Sequence, residues 1–102
     1  MLGMGPDGHT ASLFPHSEAL NETKHRCVAN FAPELKVWRI TMSAPFINRA
    51  QNVLVLVAGA DKADRVAEVL EGPRDPQRLL IQLISPLQGH MTWLLDAPAA
   101  GM

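Results

Sequence analysis

A glycine-rich segment near the N-terminus carries the side chains best suited to acid–base chemistry. Residues 3–12 contain three glycines within a short stretch, and Asp7 and His9 lie on either side of Gly8. A histidine can accept a proton near neutral pH, because its unperturbed pKa is about 6.5. A carboxylate two positions away can orient the imidazole and stabilise its charged form. Asp7 and His9 are therefore a candidate catalytic pair.

The same segment supplies groups that could hold a ligand. Gly5 and Gly8 stand where a backbone turns tightly or approaches a bound molecule closely. Thr10 adds a hydroxyl beside a predicted helix start, where backbone N–H groups also point outward. We expect these three residues to contribute to substrate binding. For an Asp-Gly-His triplet alone, the structural alternative is a tight turn with a surface histidine.

Two other functions fit parts of this pattern less well. The glycine spacing satisfies the dinucleotide-binding pattern G-x-G-x-x-G, but Asp7 would place a negative charge in the turn that approaches a pyrophosphate. Pro15 also leaves little room for the long helix that should follow. For a metal site, Asp7 and the four histidines offer ligands, but none has a strong metal-ligand spacing such as H-E-x-x-H.

Two cations are candidate ligands for an anionic substrate. Arg39 lies in a predicted strand between Trp38 and Ile40, and an arginine in such a strand either lies at an exposed end or binds an anion. Lys62 follows the strongest predicted strand, and ligands of open α/β sheets bind beyond the carboxyl ends of strands. For both residues a solvated position is the structural alternative.

The apolar pattern predicts the elements that must position these residues. Residues 53–58 are apolar at consecutive positions, which indicates a strand buried on both faces in a parallel sheet covered by helices. Strands are predicted at 25–31, 37–42, 53–58 and 91–95, and helices at 44–50 and 61–71. A short helical turn before Pro15 and an ambiguous segment at 79–84 complete the pattern. The alternation predicts an α/β fold with a largely parallel sheet and flanking helices, forming a single domain over residues 1–102.

Composition limits the partners and the compartment. Nine basic residues against ten acidic ones give a net charge of -1, which provides no electrostatic basis for binding nucleic acid or an anionic membrane. No stretch approaches the roughly 20 apolar residues of a membrane span, and no signal peptide is visible. The single cysteine, Cys27, excludes an internal disulfide and fits a reducing compartment such as the cytoplasm.

The sequences of several segments resemble those of one enzyme family. Residues 2–15 read Leu-Gly-Met-Gly-Pro-Asp-Gly-His-Thr-Ala-Ser-Leu-Phe-Pro, which closely resembles the signature of 6-phosphogluconolactonases. Residues 39–43 with 47–50 resemble the family's R-[IV]-T segment and the helix after it. Residues 57–63 resemble its strand and G-x-x-K-A turn, and residues 93–96 its closing strand. The resemblance covers nearly the whole chain.

This resemblance implies hydrolysis of 6-phospho-D-glucono-1,5-lactone to 6-phosphogluconate in the oxidative pentose phosphate pathway. It implies a Rossmann-like half of a sugar-phosphate isomerase/lactonase fold, and neither a cofactor nor a metal. His9 would be the general base that activates water, and Asp7 would orient it or hold the sugar. Arg39 and Lys62 would contact the substrate phosphate or its hydroxyls.

A related class, glucosamine-6-phosphate deaminase/isomerase, shares the G-x-G-x-D-G-H turn. Its members carry a glutamate five residues after the histidine, just before a proline. Phe14 occupies that place here. The missing acid favours the lactonase over the deaminase.

Two departures from the family pattern limit what the chain is expected to do alone. Family members carry an N-terminal half with a Ser/Gly/Thr-rich phosphate loop, and nothing here corresponds to it; residues 36–38 also replace a proline-rich stretch. The chain is therefore expected to be the C-terminal portion of a lactonase-like domain, with little or no activity by itself. A sheet edge would be exposed and could mediate self-association. A non-catalytic α/β module and a metallohydrolase are the alternative classes.

Overall fold

The computed structural model describes all 102 residues and contains two small sheets with short helices between their strands. The strands are β1 (Cys27–Ala32), β2 (Val37–Met42), β3 (Asn52–Val57) and β4 (His90–Leu95); the α-helices are α1 (Ala44–Ile47) and α2 (Ala63–Glu71). Short 3-10 helices cover Glu18–Asn21, Ala60–Lys62 and Leu80–Leu83. No helix has the length and apolar character needed to cross a membrane.

Strands β3 and β4 form the parallel sheet that carries the core. Leu2 joins the free edge of β3 as a third parallel segment: its N–H donates to Leu54 at 2.7 Å, and its carbonyl accepts from Leu56 at 2.9 Å. The glycine-rich segment thus begins at the carboxyl end of this third segment, which lies beside the central strand β3. Ligands of open α/β sheets bind beyond the carboxyl ends of the strands, which is where this segment lies. The predicted α/β fold class is confirmed.

Only one face of this sheet is covered. Val53, Val55 and Val57 are buried together with Val66 of α2, whereas Leu56 is 49% exposed. The prediction that residues 53–58 are buried on both faces is wrong, because the helices of this chain pack against a single side. The second face is apolar and open to solvent.

Strands β1 and β2 form an antiparallel hairpin that the alternation of strands and helices did not predict. A tight turn over residues 33–36 joins them, which favours antiparallel pairing. The backbone of Lys36 in this turn has a φ of 53°. One face of the hairpin carries Asn30 and Thr41, both buried; on the other, Ile40 is 81% exposed.

Local structure departs from the predictions before Pro15 and at the end of α1. The predicted helical turn before Pro15 is absent. Ala11 has a φ of 52°, and the N–H of Leu13 donates to the carbonyl of Thr10 in a tight turn. Ser43 is at the N-cap of α1, but its hydroxyl donates to the His25 carbonyl and accepts no hydrogen bond from the N–H groups of the helix. Helix α1 ends at Ile47, three residues before the predicted end at residue 50.

A carboxylate fixes the entry into the hairpin. Glu22 accepts hydrogen bonds from the backbone N–H groups of Lys24 and His25, both at 2.9 Å, and contacts the His25 ring at 3.2 Å. The N–H donors of His25 and Lys24 lower the pKa of Glu22 from 4.5 to about 2. This interaction stabilises the folded chain when Glu22 is ionised.

We predict that Glu22→Gln flattens the acid dependence of stability. Because the folded-state pKa is depressed, the contribution of Glu22 is complete above about pH 4.5 and is lost as the pH falls towards about 2. Urea unfolding at several pH values would show a smaller loss of stability across this range in the variant than in the wild type. Glu18→Gln, at an exposed residue without a hydrogen bond, is the control. An unchanged pH dependence in Glu22→Gln would contradict the assignment.

Candidate functional site

The glycine-rich segment is a closed turn held by its own backbone. The N–H of Gly5 donates to the His9 carbonyl at 2.8 Å, and the N–H of Gly8 donates to the Gly5 carbonyl at 3.0 Å. The buried hydroxyl of Thr10 donates to the carbonyl of Gly3 at 2.7 Å. The Gly5 and Gly8 amides and the Thr10 hydroxyl are thus engaged inside the turn, and they shape it rather than point at a ligand.

Glycine is required at two positions of the turn. A Cβ on Gly5 would overlap Cε1 and Nδ1 of the His9 ring, so the imidazole packs directly on the Gly5 backbone. Gly8 has a φ of 87°, which side chains rarely adopt, and a Cβ there would lie 2.9 Å from Cδ2 of Leu79. Gly5 therefore leaves the space that the His9 ring occupies, and Gly8 lets the backbone turn against Leu79.

Asp7 and His9 form a hydrogen-bonded pair, called the dyad below. His9 Nδ1 lies 2.6 Å from Asp7 Oδ1, and the His9 N–H lies 3.2 Å from the same oxygen. Partial burial raises the pKa of Asp7, but the hydrogen bonds from the His9 ring and backbone outweigh it and leave the pKa below its ordinary value. An ionised carboxylate only accepts, so Nδ1 carries the proton and Nε2 of the neutral ring is a free base.

Two cations, one in helix α2 and one in the 3-10 helix before it, bind the backbone of the turn from the other side. Lys62 Nζ donates to the Met4 carbonyl at 2.8 Å, and Arg65 Nε donates to the Pro6 carbonyl at 3.0 Å. Arg65 also pairs with Glu68, which binds Arg78. The predicted ligand Lys62 thus lies against the turn beside Gly5, the residue on which the His9 ring packs.

Arg39 occupies a different position. It pairs with Asn30 across the hairpin and shares a strand face with Thr41, whose Oγ1 accepts the Ser12 N–H at 3.0 Å. The Arg39 side chain is exposed and makes no hydrogen bond or ion pair. It lies on the hairpin face that packs against the segment after the dyad, and it does not line either of the cavities that border His9.

His9 lines two adjoining cavities. The larger, about 430 Å³ in volume and called the dyad cavity below, is bounded by Asp7, Phe14 and residues 32–35 of the hairpin turn. The Phe14 ring centroid lies 5.0 Å from that of His9. A smaller cavity opens on the Gly3–Gly5 side of the same ring. A bound molecule can therefore reach the imidazole.

One residue that positions the site was missed from the sequence. The buried side chain of Asn30 donates to the Ser12 carbonyl at 2.8 Å and the Ser17 hydroxyl at 3.0 Å, and accepts the Ala19 N–H at 3.1 Å. It fastens the segment after the dyad onto the hairpin. An asparagine within an apolar strand is the sequence signal that could have identified it.

The structure brings most of the predicted site residues together. Around one turn lie Asp7, His9, Gly5, Gly8, Thr10 and Lys62, whereas Arg39 stands apart on the hairpin. The potential metal ligands do not converge: nowhere do three His, Cys, Asp or Glu side chains gather into a group that could hold an ion.

Comparison with known proteins assigns the family. The family model described as glucosamine-6-phosphate isomerases/6-phosphogluconolactonase matches residues 1–93, and the chain belongs to this family. A 6-phosphogluconolactonase from Synechocystis sp. is 42% identical over 99 residues, covering 97% of this chain. The chain spans only 40% of that relative's length.

Solved structures agree. A 6-phosphogluconolactonase from Trypanosoma brucei superimposes with a TM-score of 0.81 at 38% identity, covering 98% of this chain and 40% of that one. A monomeric glucosamine-6-phosphate deaminase superimposes with a TM-score of 0.72 at 23% identity, a likeness of fold alone. The resemblance inferred from residues 2–15 is confirmed.

We predict that Gly5→Ala breaks the dyad. The added methyl group would displace the His9 ring, and the pKa of Asp7 would rise because it loses the hydrogen bonds that lower it. Carboxyl carbon shifts followed by NMR across the acid range would measure this rise. Gly3→Ala is the matched control, since no atom lies within 4 Å of a Cβ at Gly3. An Asp7 pKa that is equal in the two variants would refute the packing argument.

Proposed function

We propose that this chain supplies the general-base portion of a 6-phosphogluconolactonase, which hydrolyses 6-phospho-D-glucono-1,5-lactone to 6-phosphogluconate. The observation that carries the proposal is the dyad: His9 Nδ1 is bonded to Asp7 at 2.6 Å, and the ring lines a cavity. The names of the Synechocystis and Trypanosoma brucei relatives support the choice of substrate.

In the proposed reaction, His9 Nε2 takes a proton from a water molecule as the water oxygen bonds to the lactone carbonyl carbon. The carbonyl oxygen then bears the negative charge, and Asp7 stabilises the imidazolium. When the tetrahedral intermediate collapses, the bond to the ring oxygen breaks and His9 returns its proton to that oxygen. The open-chain acid is the product, and a positioned base contributes about 10²–10⁴-fold to such a rate.

Positive charge for the substrate comes from Lys62 and Arg39 in this proposal. The Lys62 ammonium has three donors, and one is engaged by Met4, so two remain for a carbonyl oxyanion or a phosphate oxygen. The exposed, unpaired Arg39 is free to meet the phosphate from the hairpin. Gly5, Gly8 and Thr10 serve binding through the shape of the turn.

The extent of the chain bears on its activity. We propose that residues 1–102 are one unit, the C-terminal portion of a lactonase-like domain, acting in the cytoplasm, where the free thiol of Cys27 would stay reduced. Because the chain spans only 40% of the length of the Synechocystis relative, we expect its own turnover to be far below that of the full-length enzyme. A non-catalytic sugar-phosphate-binding module is the competing function that this coverage favours.

The deaminase reaction receives no comparable support. Phe14 packs near His9 at the place where the deaminases carry a glutamate, and it cannot transfer a proton. The deaminase structure shares the fold at 23% identity, which does not extend to its activity.

We predict that His9→Asn removes the residual hydrolysis of this chain while retaining binding of 6-phosphogluconate. Hydrolysis of freshly made lactone would be followed by titration of the released acid, and product binding by calorimetry. His90→Asn, at an exposed histidine of β4, is the control. Equal hydrolysis in both variants would contradict the proposal. No turnover in the wild type, with binding retained, would identify the non-catalytic module.

A chimera would make the activity easier to measure. This chain can replace the aligned 40% of the Synechocystis relative, to which it is 42% identical. We expect the chimera to hydrolyse the lactone and His9→Asn to reduce kcat by at least about 100-fold. A chimera that folds and binds the product, but loses no activity on His9→Asn, would assign the base elsewhere.

We also propose that chains associate through a free edge of the parallel sheet. The outer edge of β4 has no strand partner, and the adjacent apolar face is exposed at Leu56 and Leu94. Unpaired strand edges next to apolar surface favour pairing between chains. Sedimentation at rising concentration would show larger species, and a monomer throughout would rule this out.

A further inference from the structure

Two polar side chains of the dyad cavity have no part in the proposed reaction. Glu34 lines the cavity from the hairpin turn, and His16 lines it from the segment after Phe14 and Pro15. Both are exposed, and neither makes a hydrogen bond or an ion pair within the chain. Their polar atoms are thus free to bind a molecule that occupies the cavity.

The backbone of His16 is strained. The Ser17 N–H donates to the Phe14 carbonyl at 3.2 Å, which closes a turn with Pro15 at its second position and His16 at its third. His16 has a φ of 63° in this turn, a conformation that favours glycine. A strained residue in the wall of a site is typical of a functional constraint, because glycine would fit the backbone better.

The charges around the cavity indicate which part of a substrate fits. Asp7 and Glu34 are carboxylates, His9 and His16 are imidazoles, and no lysine or arginine lines the cavity. A phosphate dianion would face two carboxylates without a strong cation. Neutral hydroxyl groups can donate to Glu34 and exchange hydrogen bonds with His16, and the ring of Phe14 offers an apolar surface for C–H groups.

We propose that Glu34 and His16 bind the hydroxyl groups of the sugar ring and so select a polyhydroxyl lactone. The inference rests on the proposed function and assigns its substrate orientation. The hydroxyl-bearing ring lies in the dyad cavity with its carbonyl carbon at His9 Nε2. The phosphate lies outside this cavity, towards Lys62 or Arg39.

The first test compares two probes on the 102-residue chain. Binding of 6-phosphogluconate and of inorganic phosphate would be titrated by NMR, following the Cε1–H resonances of the four histidines. We expect 6-phosphogluconate to shift His9 and His16, and Glu34→Gln and His16→Asn each to weaken its binding about tenfold. Phosphate binding should not change. Glu71→Gln, at an exposed carboxylate outside the cavity, is the control.

A second variant separates ligand binding from a structural role. His16→Gly removes the strain together with the side chain, so we expect a higher Tm and weaker binding of 6-phosphogluconate. Lys36→Gly relieves a similar φ of 53° outside the cavity and should raise Tm without changing affinity. A His16→Gly variant that binds as tightly as the wild type would overturn the role of His16.

The outcomes distinguish this inference from the proposed function. If 6-phosphogluconate shifts His9 but not His16, and Glu34→Gln leaves its affinity unchanged, the hydroxyl site is refuted and the lactonase assignment stands. If the variants weaken inorganic phosphate equally, the cavity is a phosphate site, and the proposed orientation is wrong. If 6-phosphogluconate shifts no histidine resonance, the inference and the proposed function fail together.

Discussion

The position of His9 depends on a backbone whose carbonyl oxygens are almost all engaged. From residue 3 to residue 9, hydrogen bonds are accepted by the carbonyls of Gly3, Met4, Gly5, Pro6, Gly8 and His9. The donors come from within the turn, from helix α2 and the 3-10 helix before it, and from Ile81. A short loop fixed from three sides can hold an imidazole against glycine without burying it. Such preorganisation matters for a base, since small displacements of a catalytic group reduce rates strongly.

Helix α2 links the turn to the core of the protein. Val66 of α2 is buried in one cluster with the valines of β3, while Arg65 of α2 and Lys62 of the preceding 3-10 helix donate to carbonyls of the turn. Glu68 forms salt bridges with both Arg65 and Arg78. Its hydrogen bonds with these side chains lower the pKa of Glu68 and raise that of Arg78. The pairs are partly exposed, so each contributes modestly to stability. Their main effect is to limit the directions in which Arg65 can donate.

The sequence predicted the parts of the fold that depend on local pattern. The valine-rich run of β3 and the periodic apolar face of α2 lie close to their expected bounds, and the three glycines indicated the turn. The antiparallel pairing of β1 with β2 was not predicted, because a loop between two strands does not by itself show that they pair with each other. The exposure of Leu56 could not be predicted either, because burial depends on which layers pack against a strand rather than on its composition.

At the site, too, residues placed by local sequence were predictable, and residues placed by non-local packing were not. The motif identified Asp7 and His9, because a two-residue spacing around glycine permits the hydrogen bond between them. Glu34 is separated from His9 by 25 positions, and only the hairpin brings it to the cavity. Contacts between segments that are distant along the chain cannot be predicted from the residue pattern of this sequence alone. His16 was noted only as a metal-ligand candidate, since its backbone conformation was not predictable from its type.

In the proposed reaction, base activation and substrate retention would thus rest on different parts of the chain. The contacts that hold the dyad are short in range or come from α2 and the 3-10 helix before it, and the exposed apolar faces of β3 and the hairpin take no part in them. The walls that would retain a sugar include the hairpin turn, which is attached to the dyad segment through Asn30 and Thr41. A change that loosens the hairpin should therefore weaken substrate binding before it disturbs the hydrogen bond between Asp7 and His9.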